Sequence, residues 1–106
     1  MKKVWVNGTF DVVHIGHIKL LEFANSFGSV TVGLDTDERV RSKKGESRPF
    51  NTLVDRMDFI SSIRFVDNVV CFDTDEELVN QIKKFEPDIM VIGGEYRYKQ
   101  IIGLEH

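Results

Sequence analysis

Residues 8–17 read "GTFDVVHIGH" (Gly8–His17): a glycine, a threonine and an acid lead into two histidines three positions apart. The chain has three histidines in all, so two of them share this window. Upstream, "KVWVN" (Lys3–Asn7) is a short β-rich run ending at a glycine, which predicts a first strand. Downstream, from about Ile15 to Phe27, Leu20, Leu21, Ala24 and Phe27 recur at helical spacing, and Gly28 supplies the stop. The window is therefore a passage from strand to helix, with Gly8–Asp11 as its loop. A helix start presents unpaired N–H groups and the positive end of the helix dipole, which together favour a phosphate. Gly8 lets the backbone turn tightly or approach a ligand, and Gly16 does the same beside His17. His14 and His17 fall on one side of a helical turn. Two imidazoles there can donate to phosphate oxygens as charge builds, and attack at phosphorus is chemistry that depends on such positioning. Two other readings stay open: surface or helix-capping residues, and a metal site for which this segment offers no evident third ligand.

Beyond the window the same alternation continues. "SVTVGL" (Ser29–Leu34), "NVVCF" (Asn68–Phe72) and "IMVIGG" (Ile89–Gly94) are predicted strands. "DTDERVRS" suits a short helix capped by Asp35 or Thr36. "KKGESRP" (Lys43–Pro49) is a loop by its Gly, Ser and Pro content. A helix is predicted from about Thr52 to Arg64, with Thr52 and Asp55 as a variant capping box. Another follows the box "TDEE" (Thr74–Glu77), carries Leu78, Ile82 and Phe85 as its apolar stripe, and closes at Pro87. The order β-α-β-α-α-β-α-β, with strands poor in polar residues, predicts a mostly parallel sheet covered on both faces: an α/β domain in three layers. Ligands in such sheets bind beyond the carboxyl ends of the strands. Gly8–His17, Asp35–Asp37 and Gly93–Tyr96 all fall there.

Composition narrows the possibilities. A chain of 106 residues fits one small domain. The net charge of −3 argues against non-specific nucleic-acid binding. The single cysteine, Cys71, rules out an intrachain disulfide and fits a reducing, cytoplasmic setting. No apolar run approaches the ~20 residues that a membrane helix needs, and "MKK" leads straight into strand pattern without a signal-peptide core. The last residues, "LEH" (Leu104–His106), match the start of a vector-encoded histidine tag and are set aside. The domain is expected to span residues 1–103 and to be incomplete at its C-terminal end.

The stretch "GTFDVVHIGH" resembles the signature of the cytidylyltransferase-like nucleotidyltransferases. "HIKLLEFANSFG" continues like the first helix of glycerol-3-phosphate cytidylyltransferases. "KKGESRPFNTLVDRM", "VDNVVCF" and "PDIMVIGGEYRYKQIIG" are similar to the nucleotidyltransferase domain of ADP-heptose synthases. The resemblance implies a Rossmann-like fold. It also implies attack by a phosphorylated sugar or polyol on the α-phosphorus of ATP or CTP, with release of pyrophosphate. The heptose 1-phosphate adenylyltransferase type is preferred on the second-half segments, and glycerol-3-phosphate cytidylyltransferase is the near alternative. A nucleotide-binding module without catalysis is the alternative of another class. Magnesium is expected to arrive with the triphosphate, held by phosphate oxygens and water rather than by a protein site.

The resemblance places His14 and His17 on the phosphates, with Gly8, Thr9, Phe10 and Gly16 around the nucleotide. Asp11 is expected to organise the loop beside the substrate, because a bare carboxylate repels phosphate. Of the pair Lys43 and Lys44, Lys44 is expected to reach the substrate or triphosphate as a point charge, against the plainer reading of two solvated lysines. Arg48 is a further substrate-phosphate candidate. Arg56 matches an arginine that similar enzymes aim at the phosphates; the plainer reading is a surface ion pair with Asp55 or Asp58. Gly94 and Glu95, in a "GGEY" that resembles a heptose-type "GGDY", are expected near the base, with Tyr96 beside them. Cys71, Trp5 and the phenylalanines at helical spacing read as packing residues. The "STT" segment that similar enzymes carry late in the chain has no counterpart here, and a fifth strand is expected to be missing with it. The exposed edge this leaves predicts a homodimer.

Overall fold

The computed structural model describes residues 1–92 and the backbone of residues 99–102. Strand β1 (Lys2–Gly8) is followed by α1 (Ile15–Asn25), β2 (Gly28–Asp35), α2 (Asp37–Lys44), α3 (Leu53–Ser61), β3 (Asn68–Phe72), α4 (Asp75–Phe85), β4 (Ile89–Ile92) and β5 (Lys99–Ile102). The strands form one sheet in the order β3-β2-β1-β4-β5. The pairings β1–β2, β1–β4 and β2–β3 are parallel, and β4–β5 is antiparallel. The α/β, Rossmann-like expectation holds. The missing fifth strand does not: β5 pairs with β4 from Ile89↔Ile102 to Ile92↔Lys99.

Side chains alternate across the sheet as strand geometry requires. Val4 and Val6 of β1, with Val30, Val32 and Leu34 of β2, face Leu20, Leu21 and Ala24 of α1 and Ile60 of α3 in one buried cluster. Fully burying a side chain such as Leu21 or Ile60 is worth about 2 kcal/mol. The intervening Trp5 faces the other way, 5.7 Å from the ring of Phe85 on α4. Right-handed crossovers account for this division: two successive ones place α1 and α3 on one face, and the return from β3 to β4 places α4 on the other. Gly33 is required opposite Trp5, since a Cβ there would lie 2.7 Å from the indole Cζ2.

Capping residues set the helix starts. Thr36, not Asp35, caps α2 by accepting from the N–H of Arg39. Thr52 and Thr74 do the same for α3 and α4. Glu77 reaches back to the N–H of Asp73, one residue before its cap. Of the phenylalanines at helical spacing, Phe23 and Phe27 pack against the core, whereas Phe59 is 50% exposed. Cys71 is half-buried.

Candidate active site

Strand β1 lies at the centre of the sheet. The chain leaves it towards β2 and β3 on one side and returns to β4 on the other, so its carboxyl end is the topological switch point. The segment Thr9–His14 emerges there. It borders a cleft of about 530 Å³ lined by Asn7, Gly8, Thr9, Phe10, Asp11, Val12, His17, Leu20, Lys44, Arg48 and Phe50. Helix α1 starts at its edge.

The two histidines lock each other into that helix start. The Nδ1 of His14 accepts from the N–H of Gly16 at 2.9 Å. The Nδ1 of His17 accepts from the N–H of His14 at 3.1 Å. Together they form a reciprocal capping box built from imidazoles. Capping and chemistry were alternatives in the sequence; the geometry lets one pair do both. With each Nδ1 accepting, the neutral form of each ring carries its proton on Nε2, and both rings are set as donors. Their centroids are 4.3 Å apart. His17 also packs 5.4 Å from the ring of Phe10. Partial burial first, and the neighbouring charge of His14 second, hold the pKa of His17 below its ordinary value.

The loop before them is held in a demanding conformation. Phe10 has φ 52°, a left-handed backbone that is rare for a bulky residue. Gly8 makes room for its ring, which would touch a Cβ at 3.1 Å. Thr9 is anchored at both ends. Its hydroxyl donates to Asp35 at 2.8 Å, and its carbonyl accepts from Arg56 at 3.0 Å. Asp35 also accepts from Arg39 at 2.9 Å, and Arg39 extends to Asp75 at 2.7 Å.

Arg56 lines a hollow of about 470 Å³ that shares Phe10, Asp11 and Val12 with the cleft, and its ion pair is with Asp37 rather than with Asp55 or Asp58 at the surface. It is 2% exposed, and its guanidinium turns inward to the carbonyls of Asn51, Thr9 and Asp35 and to the carboxylate of Asp37. One side chain thus ties the loop after β1 to the loop after β2 and to the start of α3. A planar fork of donors suits several carbonyls in a way that an ammonium cannot.

Asp11, expected to organise the loop, bonds across to the loop after α2. Its carboxylate accepts from the N–H groups of Phe50 and Asn51 at 2.7 and 2.8 Å, and Asn51 Nδ2 donates back to the carbonyl of Asp11 at 2.5 Å. This clasp brings the loop after α2 against the cleft. Lys44 and Arg48 line the cleft, and the guanidinium of Arg48 lies over Phe50 at 4.5 Å. Lys43 does not line it. Its charge acts instead on Asp75, whose carboxyl is held below its ordinary value first by the hydrogen bond and charge of Arg39. Adjacent residues on a helix point about 100° apart, which sets the two lysines in different directions. Gly94, Glu95 and Tyr96 lie outside the described residues. Arg39 and Asn51 were not singled out in the sequence. The i,i+4 spacing of Asp35 and Arg39 was a usable signal, whereas nothing local marks Asn51. Among the described residues no group of three or more His, Cys, Asp or Glu could hold a metal ion, and no helix is long and apolar enough to cross a membrane.

Comparison with known proteins agrees with this geometry. Residues 5–103 match the model of the family described as cytidylyltransferase-like. The chain is 47% identical over 103 residues to the bifunctional protein HldE of Campylobacter curvus, covering 96% of the chain and 22% of that protein. It is 47% identical over 107 residues to HldE of Sulfurimonas denitrificans, covering 98% of the chain and 22% of that protein. The chain thus spans about a fifth of the length of these relatives. Among solved structures, the lipopolysaccharide core biosynthesis protein from Thermoplasma volcanium superposes with a TM-score of 0.74 at 25% identity, covering 85% of this chain and 72% of that one. A histidine pair at a helix start, set at the switch point of a parallel sheet within a matching sequence, leads to one assignment: the chain belongs to the cytidylyltransferase-like family of nucleotidyltransferases.

Proposed function

We propose that this domain transfers an adenylyl group from ATP to a phosphorylated sugar, of the heptose 1-phosphate type. The observation that carries the reading is the cleft itself: the donors of His17, Lys44 and Arg48 converge on one space at the start of α1. A triphosphate is the ligand such a donor set suits. The sugar phosphate is already anionic near neutral pH, so its oxygen attacks the α-phosphorus without a dedicated base. The new P–O bond forms as the bond to the leaving pyrophosphate breaks. Nε2–H of the imidazoles and the Lys44 ammonium take up the charge that accumulates on the phosphate oxygens.

The acceptor class is supported by the similarity to HldE proteins, by the ADP-heptose-synthase-like segments of the second half, and by the neighbour described as acting in lipopolysaccharide core biosynthesis. Magnesium belongs to the same reading. The carboxylates nearest the cleft, Asp11 and Asp35, are already engaged by protein donors. The cation would then be held mainly by the triphosphate, supplying charge neutralisation there. A homodimer in the cytoplasm completes it; the exposed Val54 and Phe59 on α3 supply apolar area for a second copy.

The experiment is pyrophosphate release from the protein with ATP or CTP, each paired with heptose 1-phosphate or glycerol 3-phosphate. Release with ATP and the heptose supports the proposal. Release only with CTP and glycerol 3-phosphate replaces it with the cytidylyl reading. Nucleotide binding without release from any pair supports a binding module.

A further inference from the structure

Asn7 ends the run of β1 and lines the cleft, yet neither the histidine motif nor the loop clasp accounts for it. Its amide is oriented by a neighbour. The indole Nε1 of Trp5 lies 2.9 Å from Asn7 Oδ1. An indole N–H can only donate, so the side of the amide facing Trp5 must be the oxygen. Trp5 itself cannot swing away: it is 1% exposed, wedged over Gly33 and set against Phe85. The planar amide therefore presents its NH₂ on the side that the indole does not take. Asn7 is exposed, and among the described residues its side chain makes one hydrogen bond, the one that Oδ1 accepts from Trp5.

From this arrangement we infer that Asn7 is a ligand-contacting specificity residue, with Trp5 as its positioning residue: the fixed amide donates a hydrogen bond to an acceptor oxygen of the molecule bound in the cleft. The inference rests on the proposed nucleotidyl transfer for what that molecule is. The shared chemistry is an oxygen acceptor, and it is carried either by the nucleotide or by the sugar phosphate. A rigid donor discriminates more strongly than a mobile one, because a ligand lacking the acceptor leaves the NH₂ unpaired and cannot turn the amide round. Were the Asn7 amide free to rotate, it could offer oxygen or nitrogen at will and would select nothing.

The test is a double-mutant cycle read by calorimetry, with ATP and heptose 1-phosphate titrated separately. The variants are Asn7→Ala, Trp5→Phe and the pair together. Asn7→Ala is expected to weaken one of the two ligands by about tenfold, the worth of one hydrogen bond to a charged group, and to leave the other unchanged. Which ligand weakens identifies the source of the acceptor. Trp5→Phe is expected to weaken the same ligand by less, and the double variant to bind no more weakly than Asn7→Ala alone. Asn7 is exposed at a strand end, so Asn7→Ala keeps the test standing even if Trp5→Phe fails to fold. Wild-type affinity for both ligands in Asn7→Ala overturns the inference, as do strictly additive effects of the two changes. Binding of neither ligand by the wild-type protein instead brings down the transfer reading, and this inference with it.

Discussion

Arg56 Nη1 donates to the carbonyl oxygen of Thr9 at 3.0 Å, across 47 residues of sequence. The same atom reaches the carbonyl of Asp35 at 2.8 Å. The loop that carries Phe10 in a left-handed conformation is therefore braced from beneath by a buried cation whose charge is answered by Asp37. An arginine inside the domain, not one at its rim, holds the floor of the cleft.

Removing that brace leaves Asp37 without its partner and three carbonyls without donors. Arg56→Met is expected to cost about 2–3 kcal/mol of stability, from the carbonyls left without their charged donor, since Asp37, with its side chain 32% exposed, is rehydrated. Arg56→Lys keeps the charge but loses the fork, and is expected to fall between the two. Urea unfolding checks this; an Arg56→Met midpoint equal to wild type would falsify the bracing role.

His14 caps α1 and stands beside the cleft, and the two functions are separable by substitution. Asparagine is among the best N-caps, so His14→Asn is expected to keep stability within about 0.5 kcal/mol of wild type. It lacks the imidazole, so turnover is expected to fall on the order of 100-fold or more. Thermal melts paired with pyrophosphate release decide it. Full turnover in a stable His14→Asn would reduce His14 to a cap.

The lowered pKa of His17 makes stability pH-dependent. Between that lowered value and the ordinary value near 6.5, the unfolded chain binds more protons than the folded one, so stability rises with pH. The contribution is complete above about 6.5 and is lost as pH falls through the window. The melting temperature is expected to drop on acidification across this range, and His17→Gln to flatten that part of the profile. A bound anion reverses the sign, because it favours the imidazolium. Affinity for sulfate, whose own charge is constant over this range, is therefore expected to increase as pH falls. Affinity independent of pH between 7.5 and 5.5 (two units spanning about 6.5) would contradict a phosphate beside this ring.

The two lysines at the end of α2 are expected to behave differently. Lys44 lines the cleft and Lys43 acts on Asp75. Loss of a point charge at a phosphate typically costs about tenfold or more in kcat/KM. Lys44→Ala is expected to show that loss, and Lys43→Ala a clearly smaller one. Equal losses in steady-state assays would mean that the loop presents both charges to the ligand.

Much of the fold was legible because its signals are local. Strand runs, the helical spacing of Leu20, Leu21 and Ala24, and the threonine caps at Thr52 and Thr74 depend on neighbours within one turn. The cap of α2 was narrowed to Asp35 or Thr36, since either side chain can accept at that position; Thr36 took it because the carboxylate of Asp35 was drawn to Thr9 and Arg39. Strand β5 was missed because an antiparallel edge strand takes its identity from its partner, here β4.

The sequence by itself determined the residues at the strand-to-helix turn: the histidine spacing, the glycines, and the acid ahead of them. All of these are set within ten residues, where backbone geometry alone brings the groups together. Tertiary structure decided which groups from distant segments meet: Arg56 beneath Thr9, Asp11 around Asn51, and Lys44 rather than Lys43 at the cleft. Those pairings are set by the order of strands in the sheet and by which face each side chain takes. Such long-range geometry leaves no trace in the spacing of residues along the chain.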